Sequence, residues 1–525
     1  MPGLASLLEV ANFRSPEAIA LVMAHRTWTF AQLDEAATQF AFALLSRGLS
    51  PGDRVAIWLA NVPEAVIALW GVLKAGGAFV MVNAKTKGEK INYLLRDSQA
   101  VALVTDEAHL ASAQLVNYPY LQVTFLVGDH TLAMRGALAS FESRAEVCPL
   151  PSPDGDDLAA ILYTSGTTGF PKGVALTHRN IATATRAIAQ YLRLKASDVL
   201  FNVLPLSFGY GLTQLFSACF ASAAFVCEKD MLFPHTTLGK VAAVRATGFA
   251  IVPTMAEILL NLDLTKYDLA SLRYITNAGA HLPPEQATQL AASLPHTALY
   301  CMYGQTECLR ISYLEPEEFS AHPGSVGKGM PFQDLFLLDA EGNEVDDLCT
   351  GELVVRGDHV MRGYWNAEDA TREKLRSPPP SLKDRVAPNE RLLFTGDLFR
   401  RDADGFLYFI SRKDDVIKSR GEKVSPAEVE RALVSIPGVE AAAVVGIERP
   451  RFGVVIKAFV VRESGAVLSE RDVIRACAAR LEDYMVPAVV EFRDALPLNE
   501  RGKVDYATLK SQPQPPSSDR PHRPY

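Results

Sequence analysis

The strongest constraint on the fold is the alternation of short apolar, β-prone runs with segments of helical periodicity. The runs RVAIWLA, AFVMVN, AVALVTD and VTFLVGD indicate buried strands. The segment PEAVIALWGVLKAG lies between the first two, and an earlier helix is expected to follow Thr29, a candidate N-cap, and to close at Gly48. Strands that alternate with helices predict an α/β fold of doubly wound, largely parallel sheets with helices on both faces.

The pattern changes after about residue 320, where closely spaced strands and turns predict a smaller β-rich section of the same domain. Beyond Arg412 the pattern is α+β, with a helix capped by Ser425 that carries Pro426 in its first turn and Glu428 at its third position. We therefore predict a large N-terminal domain over residues 1–411 and a small α+β C-terminal domain over 412–511. The proline-rich segment 512–525 is expected to be a disordered tail.

Charge, hydropathy and cysteine content exclude several classes of protein. The 525 residues include 60 acidic and 52 basic side chains, a net charge of -8 that argues against a nucleic-acid binder. The apolar stretches Ala65–Val80 and Leu215–Val226 are shorter than the ~20 residues of a spanning helix, so we expect core segments and no integral membrane segment. No signal peptide is recognisable. The seven scattered cysteines favour a reducing cytoplasm, with Cys301 and Cys308 as buried apolar residues.

The segment YTSGTTGFPKG, residues 163–173, has the composition of an anion-binding loop. Its glycines allow backbone N–H groups to approach an anion closely, its hydroxyls add donors, and Lys172 adds a charge. The Walker A spelling is not met. Taken alone, such a stretch is better explained as a flexible surface turn, so its neighbours along the chain decide the interpretation.

Those neighbours resemble the motifs of the AMP-forming acyl-activating enzymes, a family that includes acyl-CoA synthetases, adenylation domains of peptide synthetases and firefly-type luciferase. The resemblance runs from about Arg26 to Lys510. YTSGTTGFPKGVALTHRN resembles the family's phosphate loop, and YGQTE, GELVVRG, TGDL, SRKDDVIKSRGEKVSPAEVE and LPLNERGKVDY follow in the expected order. The resemblance implies an ATP-dependent ligase that requires Mg²⁺.

The resemblance assigns roles around the nucleotide. Tyr303 would stack on adenine, Thr306 would hydrogen-bond the α-phosphate, Glu307 would bind Mg²⁺, and Asp397 and Arg412 would reach the ribose. Gly279 and Ala280 would pass along the base. The residues that would embrace the phosphates are Thr164, Ser165, Gly166, Thr167, Thr168, Gly169 and Lys172.

The resemblance also assigns the chemistry to the C-terminal segment. Lys503 would bridge the substrate carboxylate and the α-phosphate, where a fixed cation stabilises the transition state of two anions meeting. After adenylate formation the small domain would turn about Asp414, which makes it mobile, and the segment around Gly421 would help to form a tunnel for a thiol. Coenzyme A is the expected thiol, and the phosphopantetheine arm of an acyl carrier protein is the alternative.

Departures from the family pattern bear on the acid. Phe208 stands where many acyl-CoA synthetases carry a histidine, and Gly209 stands where amino-acid-activating domains carry an aspartate. A pocket formed by Phe208, Gly209 and Tyr210 cannot satisfy a buried ammonium, so we expect a small carboxylic acid without an α-amine. A luciferase-like oxygenase and a non-catalytic nucleotide sensor are further hypotheses, which oxygen uptake and AMP release would distinguish from a ligase.

Overall fold

The computed structural model describes residues 3–112, 119–128, 131–134, 149–164, 171–280, 282–346, 348–412, 417–420, 422–424, 426–449, 453–497, 504 and 506–510. The chain divides into two compact units, and the division in the sequence that precedes the second unit falls between residues 415 and 416. The predicted limits of 411 and 412 lie close to this point and stay a prediction. The predicted tail lies outside the described residues.

The first unit contains most of the strands. They are β1 (Ile19–Met23), β2 (Arg26–Thr29), β3 (Arg54–Trp58), β4 (Ala78–Val82), β5 (Ala102–Asp106), β6 (Val123–Gly128), β7 (Thr131–Met134), β8 (Leu158–Thr164), β9 (Lys172–Thr177), β10 (Val199–Asn202), β11 (Ala224–Cys227), β12 (Gly248–Ile251), β13 (Tyr274–Asn277), β14 (Ala298–Tyr303), β15 (Ser312–Tyr313), β16 (Lys328–Gly329), β17 (Gln333–Leu338), β18 (Thr350–Gly357), β19 (Gly363–Tyr364), β20 (Leu375–Arg376), β21 (Leu392–Arg401) and β22 (Leu407–Arg412).

Its helices alternate with these strands through most of the unit. They are α1 (Ser6–Arg14), α2 (Phe30–Ser46), α3 (Pro63–Lys74), α4 (Gly88–Asp97), α5 (Glu107–Ser112), α6 (His178–Tyr191), α7 (Gly209–Phe220), α8 (Pro234–Ala243), α9 (Pro253–Leu260), α10 (Pro284–Ser293) and α11 (Glu368–Lys374). The second unit contains β23 (Ile417–Ser419), β24 (Glu422–Val424), α12 (Pro426–Val434), β25 (Val439–Arg449), β26 (Gly453–Arg462), α13 (Glu470–Ala478), β27 (Val489–Arg493) and α14 (Tyr506–Lys510).

The sheet order confirms the predicted α/β class. In the described part of the chain, one sheet runs β16-β15-β14-β13-β12-β10-β11-β1-β2 and another runs β19-β9-β8-β4-β3-β5-β6-β7. The central pairs of both are parallel, such as β13 with β14 and β3 with β4, whereas edge pairs such as β1 with β2 are antiparallel. The β-rich section is the antiparallel sheet β17-β18-β21-β20, with β22 on β21. The second unit is α+β, with β25-β26-β27 as its larger sheet.

Local sequence explains where the helices begin. The Thr29 side chain accepts a hydrogen bond from the backbone N–H of Gln32 at 3.2 Å, and the Gln32 side chain accepts one from the N–H of Thr29 at 3.0 Å. This capping box satisfies two backbone donors that the first turn would otherwise leave without partners, so α2 begins at Phe30 as predicted. Every residue of α3 is buried, which explains its almost uniformly apolar sequence.

The parallel strands also determine where a ligand can bind. β10, β13 and β14 lie in one sheet, and the segments that hold Phe208, Gly279 and Glu307 follow their carboxyl ends. Open parallel sheets bind ligands beyond the carboxyl ends of their strands. The segments that hold Phe208, Gly279 and Glu307 are therefore grouped at the carboxyl end of this sheet, whereas Thr164, Lys172 and Asp397 belong to other sheets.

Candidate active site

Tyr303, the last residue of β14, is held against Asp397 of β21. The Tyr303 hydroxyl donates to Asp397 Oδ2 at 2.5 Å, and the Gln305 amide donates to the same oxygen at 2.8 Å and to the Tyr303 hydroxyl at 3.1 Å. All three side chains are buried. The network thus joins the residue predicted to contact adenine to the residue predicted to contact ribose. Gln305 was not among the predicted residues, although it lies inside the YGQTE motif.

Arg412 lies beside Asp397 in the same sheet. The two residues are Cα partners in the register of β21 and β22. A further contact holds the backbone of Asp397, whose N–H donates to the Thr395 hydroxyl at 3.1 Å. The structure therefore brings the two predicted ribose residues together, although 14 residues lie between them in the chain.

Glu307 is positioned by a tyrosine that the sequence analysis did not identify. The Tyr364 hydroxyl donates to Glu307 Oε1 at 2.7 Å, and the Met361 N–H donates to the Glu307 carbonyl at 2.7 Å. Both Tyr364 and Glu307 are buried, and Thr306 between Gln305 and Glu307 is half-buried. A charge-assisted hydrogen bond of this length restricts the carboxylate to one orientation.

The same tyrosine lies next to the strands that flank the predicted phosphate loop. Thr164, which ends β8, is the register partner of Lys172, which begins β9. Tyr364 pairs with Val174 of β9, and the Lys172 ammonium lies 5.5 Å from the centroid of the Tyr364 ring. The Lys172 end of the loop and the predicted metal ligand therefore share one neighbour, Tyr364.

The donor set at Glu307 fits a cation that arrives with a nucleotide. Mg²⁺ prefers oxygen ligands and is usually bound by one or two carboxylates together with phosphate and water oxygens. Among the described residues no group of three His, Cys, Asp or Glu side chains could hold a metal by itself. One oriented carboxylate is what such a shared site requires, and Glu307 is the residue that would hold the ion.

The predicted acyl residues gather at the first turn of α7. A Cβ atom built on Gly279, whose φ of +91° favours glycine, would lie 3.6 Å from the Phe208 ring, so the two segments touch. Gly209 begins α7, and Ala280 follows Gly279 in a half-buried position. The Tyr210 hydroxyl is within hydrogen-bonding distance of the Thr276 carbonyl (2.8 Å) and hydroxyl (2.6 Å), and burial raises the pKa of this phenol.

Several predicted site residues lie outside the described part of the chain: Ser165, Gly166, Thr167, Thr168, Gly169, Asp414, Gly421 and Lys503. Their roles stay predictions. The expectation for Cys301 and Cys308 is confirmed, since both side chains are buried, and burial raises the pKa of Cys301 to about 12.

Comparison with known proteins identifies the family. The family profile "AMP-binding enzyme" matches residues 8–365, and the profile "AMP-binding enzyme C-terminal domain" matches residues 428–503. The chain belongs to the AMP-binding enzyme family. It is an AMP-forming acid–thiol ligase, in agreement with the motif order and with the curated long-chain-fatty-acid–CoA ligases among its relatives.

The relatives include both stand-alone ligases and segments of much larger proteins. The chain is 31% identical to a long-chain-fatty-acid–CoA ligase of Escherichia coli O157:H7, over 97% of this chain and 94% of that protein. It is 29% identical to tyrocidine synthase 3 of Brevibacillus parabrevis over 99% of this chain, which corresponds to only 8% of that protein.

A solved structure gives the same fold. A double mutant of the o-succinylbenzoate CoA synthetase of Bacillus subtilis superposes with a TM-score of 0.83 at 28% identity, covering 98% of this chain and 99% of that one. In the described residues, no helix combines the length and apolar character that crossing a membrane requires.

Proposed function

We propose that this ligase activates a carboxylic acid without an α-amine as its acyl-adenylate and transfers the acyl group to coenzyme A. Two observations support the proposal. Hydrogen bonds join Tyr303, Gln305 and Asp397 and orient the Glu307 carboxylate nearby in the sequence. The first turn of α7, where the acyl group is expected to bind, has no carboxylate. The stand-alone ligases among the relatives, matched over nearly their full length, support coenzyme A as acceptor.

Electrostatics disfavours an amino acid as the substrate. The substrate's ammonium would lie near the first turn of α7, where the helix dipole is positive and the sequence Phe208, Gly209, Tyr210 offers no carboxylate. A buried cation without a counter-ion is strongly disfavoured. Acids without that ammonium avoid this cost.

The residues then divide the work of adenylation. Tyr303, Gln305 and Asp397 orient the nucleoside, and Glu307 holds Mg²⁺, which when bound neutralises charge on the phosphates. Thr306 binds the α-phosphate, and the loop from Thr164 to Lys172 binds the departing pyrophosphate. Lys503 draws the substrate carboxylate and the α-phosphate together, and this role is carried by the resemblance of the segment LPLNERGKVDY.

In the second step, the transfer of the acyl group to the thiol, Asp414 serves as the hinge of the small domain, and the segment around Gly421 helps to form the passage for the thiol. A carrier protein with a phosphopantetheine arm is the alternative acceptor, and the similarity to tyrocidine synthase 3 favours testing it. We place the enzyme in the cytoplasm, since no disulfide joins the described cysteines at positions 219, 227, 301, 308, 349 and 477.

A panel of fatty, aromatic and amino acids tests this function, with AMP release measured in the presence of coenzyme A, a holo-carrier protein or the same carrier without its arm. We expect AMP release with acids that lack an amine, and acyl transfer to coenzyme A at the highest rate. Faster turnover with amino acids would contradict the substrate class. Transfer to the holo-carrier alone would replace coenzyme A as the acceptor.

A further inference from the structure

Arg310 is a buried cation close to the active site. It follows the YGQTE motif by three residues, its side chain is among the largest that are fully buried, and only 2% of its surface is exposed. A guanidinium stays charged at any physiological pH. Its Nε atom has no hydrogen-bond partner, and within the described ranges no carboxylate oxygen lies within 4.0 Å of its nitrogens.

A more exposed arginine of the same unit has a carboxylate partner. Arg273, which is more exposed than Arg310, donates to both carboxylate oxygens of Asp198 at 3.1 and 2.9 Å. Arg310 instead lies with its Cζ atom 4.9 Å from the centroid of the Tyr210 ring. Such a cation–π contact stabilises a desolvated cation by roughly 2 kcal/mol, less than the several kcal/mol that burying an ion costs. The charge therefore needs a further partner.

Arg310 lies near the first turn of α7, where the acyl group of the substrate is expected to bind. Tyr210 is in the first turn of α7, and a Cβ atom built on Gly209 would lie 3.4 Å from the side chain of Leu309, the neighbour of Arg310. The α7 N-terminus adds positive potential to that of the guanidinium. The charge of Arg310 also reaches Tyr191 of α6, where it opposes the effect of burial, which raises the pKa of that tyrosine to about 12.

We propose that Arg310 binds a second carboxylate of the substrate, so that the preferred acid is a dicarboxylic acid. This inference rests on the proposed function. One carboxylate reacts with ATP, and the other meets the guanidinium, whose planar fork matches two carboxylate oxygens. The positive surroundings that reject an α-ammonium then attract the second carboxylate.

The test compares each straight-chain dicarboxylic acid from four to eight carbons with the monocarboxylic acid of the same length. AMP release is measured for the wild-type chain and for Arg310→Met, Arg310→Lys and Arg186→Met. Arg186 is a matched control, because its Nε is also buried without a partner and its Cζ lies 3.8 Å from the ring centroid of Phe332, which is not a residue of α7. Thermal unfolding and ATP binding are measured for every variant.

We expect the wild type to favour at least one diacid over its matched monoacid in kcat/KM by ~30-fold or more, the usual effect of one buried ion pair. Arg310→Met removes that preference and retains turnover of the monoacid, Arg310→Lys restores part of it, and Arg186→Met leaves it unchanged.

Two results would overturn the inference while the proposed function stands: AMP release with monoacids at rates equal to or above those with diacids, or an equal loss for both acids in Arg310→Met with a lowered Tm. The second result would make Arg310 a structural residue. No AMP release with any acid of either panel would instead remove the proposed function, and the inference with it.

Discussion

The hydrogen bond from Tyr364 to Glu307 offers a sharp test of the proposed metal ligand. The substitution Tyr364→Phe removes one hydroxyl and keeps the ring, which packs as part of the main core cluster and lies near Lys172. It leaves Glu307 Oε1 without the donor that lies 2.7 Å away. If Glu307 holds Mg²⁺, the loss of this hydrogen bond lowers the affinity for the ion more than it lowers the stability of the fold.

The size of the effect follows from the type of bond. A buried hydrogen bond to a charged group contributes about 1.5–3 kcal/mol, which corresponds to about 10- to 160-fold in an equilibrium constant. Residues that orient a metal ligand commonly change affinity or activity by about 10- to 100-fold when replaced. We therefore expect the Mg²⁺ concentration for half-maximal AMP release to rise at least about tenfold in Tyr364→Phe.

The assay is AMP release at saturating ATP and acid over a Mg²⁺ titration, with thermal unfolding measured in parallel. Tyr408→Phe is the matched control, since it removes a hydroxyl that donates to the Asp402 carboxylate at 3.0 Å in the β-rich section. Its Mg²⁺ dependence should equal that of the wild type. If Tyr364→Phe retains the wild-type Mg²⁺ dependence within about twofold and remains folded, the assignment of Glu307 as an oriented metal ligand is wrong.

Three further outcomes follow from the described contacts. Gln305→Leu should raise KM for ATP about tenfold with a smaller change in kcat, because it removes the amide that joins Tyr303 to Asp397; an unchanged KM would refute this. Burial lowers the pKa of His359 from 6.5 to about 4, so the unfolded chain binds a proton that the folded chain does not, and stability falls as the pH drops through that window. Between pH 7 and pH 5, the free energy of unfolding measured with urea should fall by about 2 kcal/mol less in His359→Leu than in the wild type. An equal fall in both proteins would contradict the lowered pKa of His359. Thr29→Ala should lower stability by about 0.5–2 kcal/mol without changing kcat, whereas an unchanged urea midpoint would show that the cap is dispensable.

The elements that could be predicted from the sequence are those whose local residues determine their structure. Thr29 and Gln32 specify the start of α2, and the almost uniformly apolar sequence of α3 predicts its burial. The fold class followed from the same local patterns, and the family motifs identified Tyr303, Glu307 and Asp397 as site residues.

The remaining site features depend on strand order, which local patterns do not encode. Tyr364 meets Glu307 from 57 residues away, and Tyr303 meets Asp397 across 94 residues. The burial of Arg310 could not be predicted from the sequence either. An arginine that follows a polar motif is expected to be exposed, and only the tertiary structure shows that it packs on Tyr210 of α7.

The most direct test of the account is the rate of acyl-adenylate formation by Lys503→Ala in a single turnover, followed as pyrophosphate release. Lys510→Ala, which removes an exposed lysine of α14, is the control. The account predicts that Lys503→Ala binds ATP as the wild type does but forms adenylate about 100- to 1,000-fold more slowly, the cost of about 3–4 kcal/mol for losing a fixed transition-state donor. Adenylate formation at the wild-type rate in that variant would contradict the assignment of Lys503.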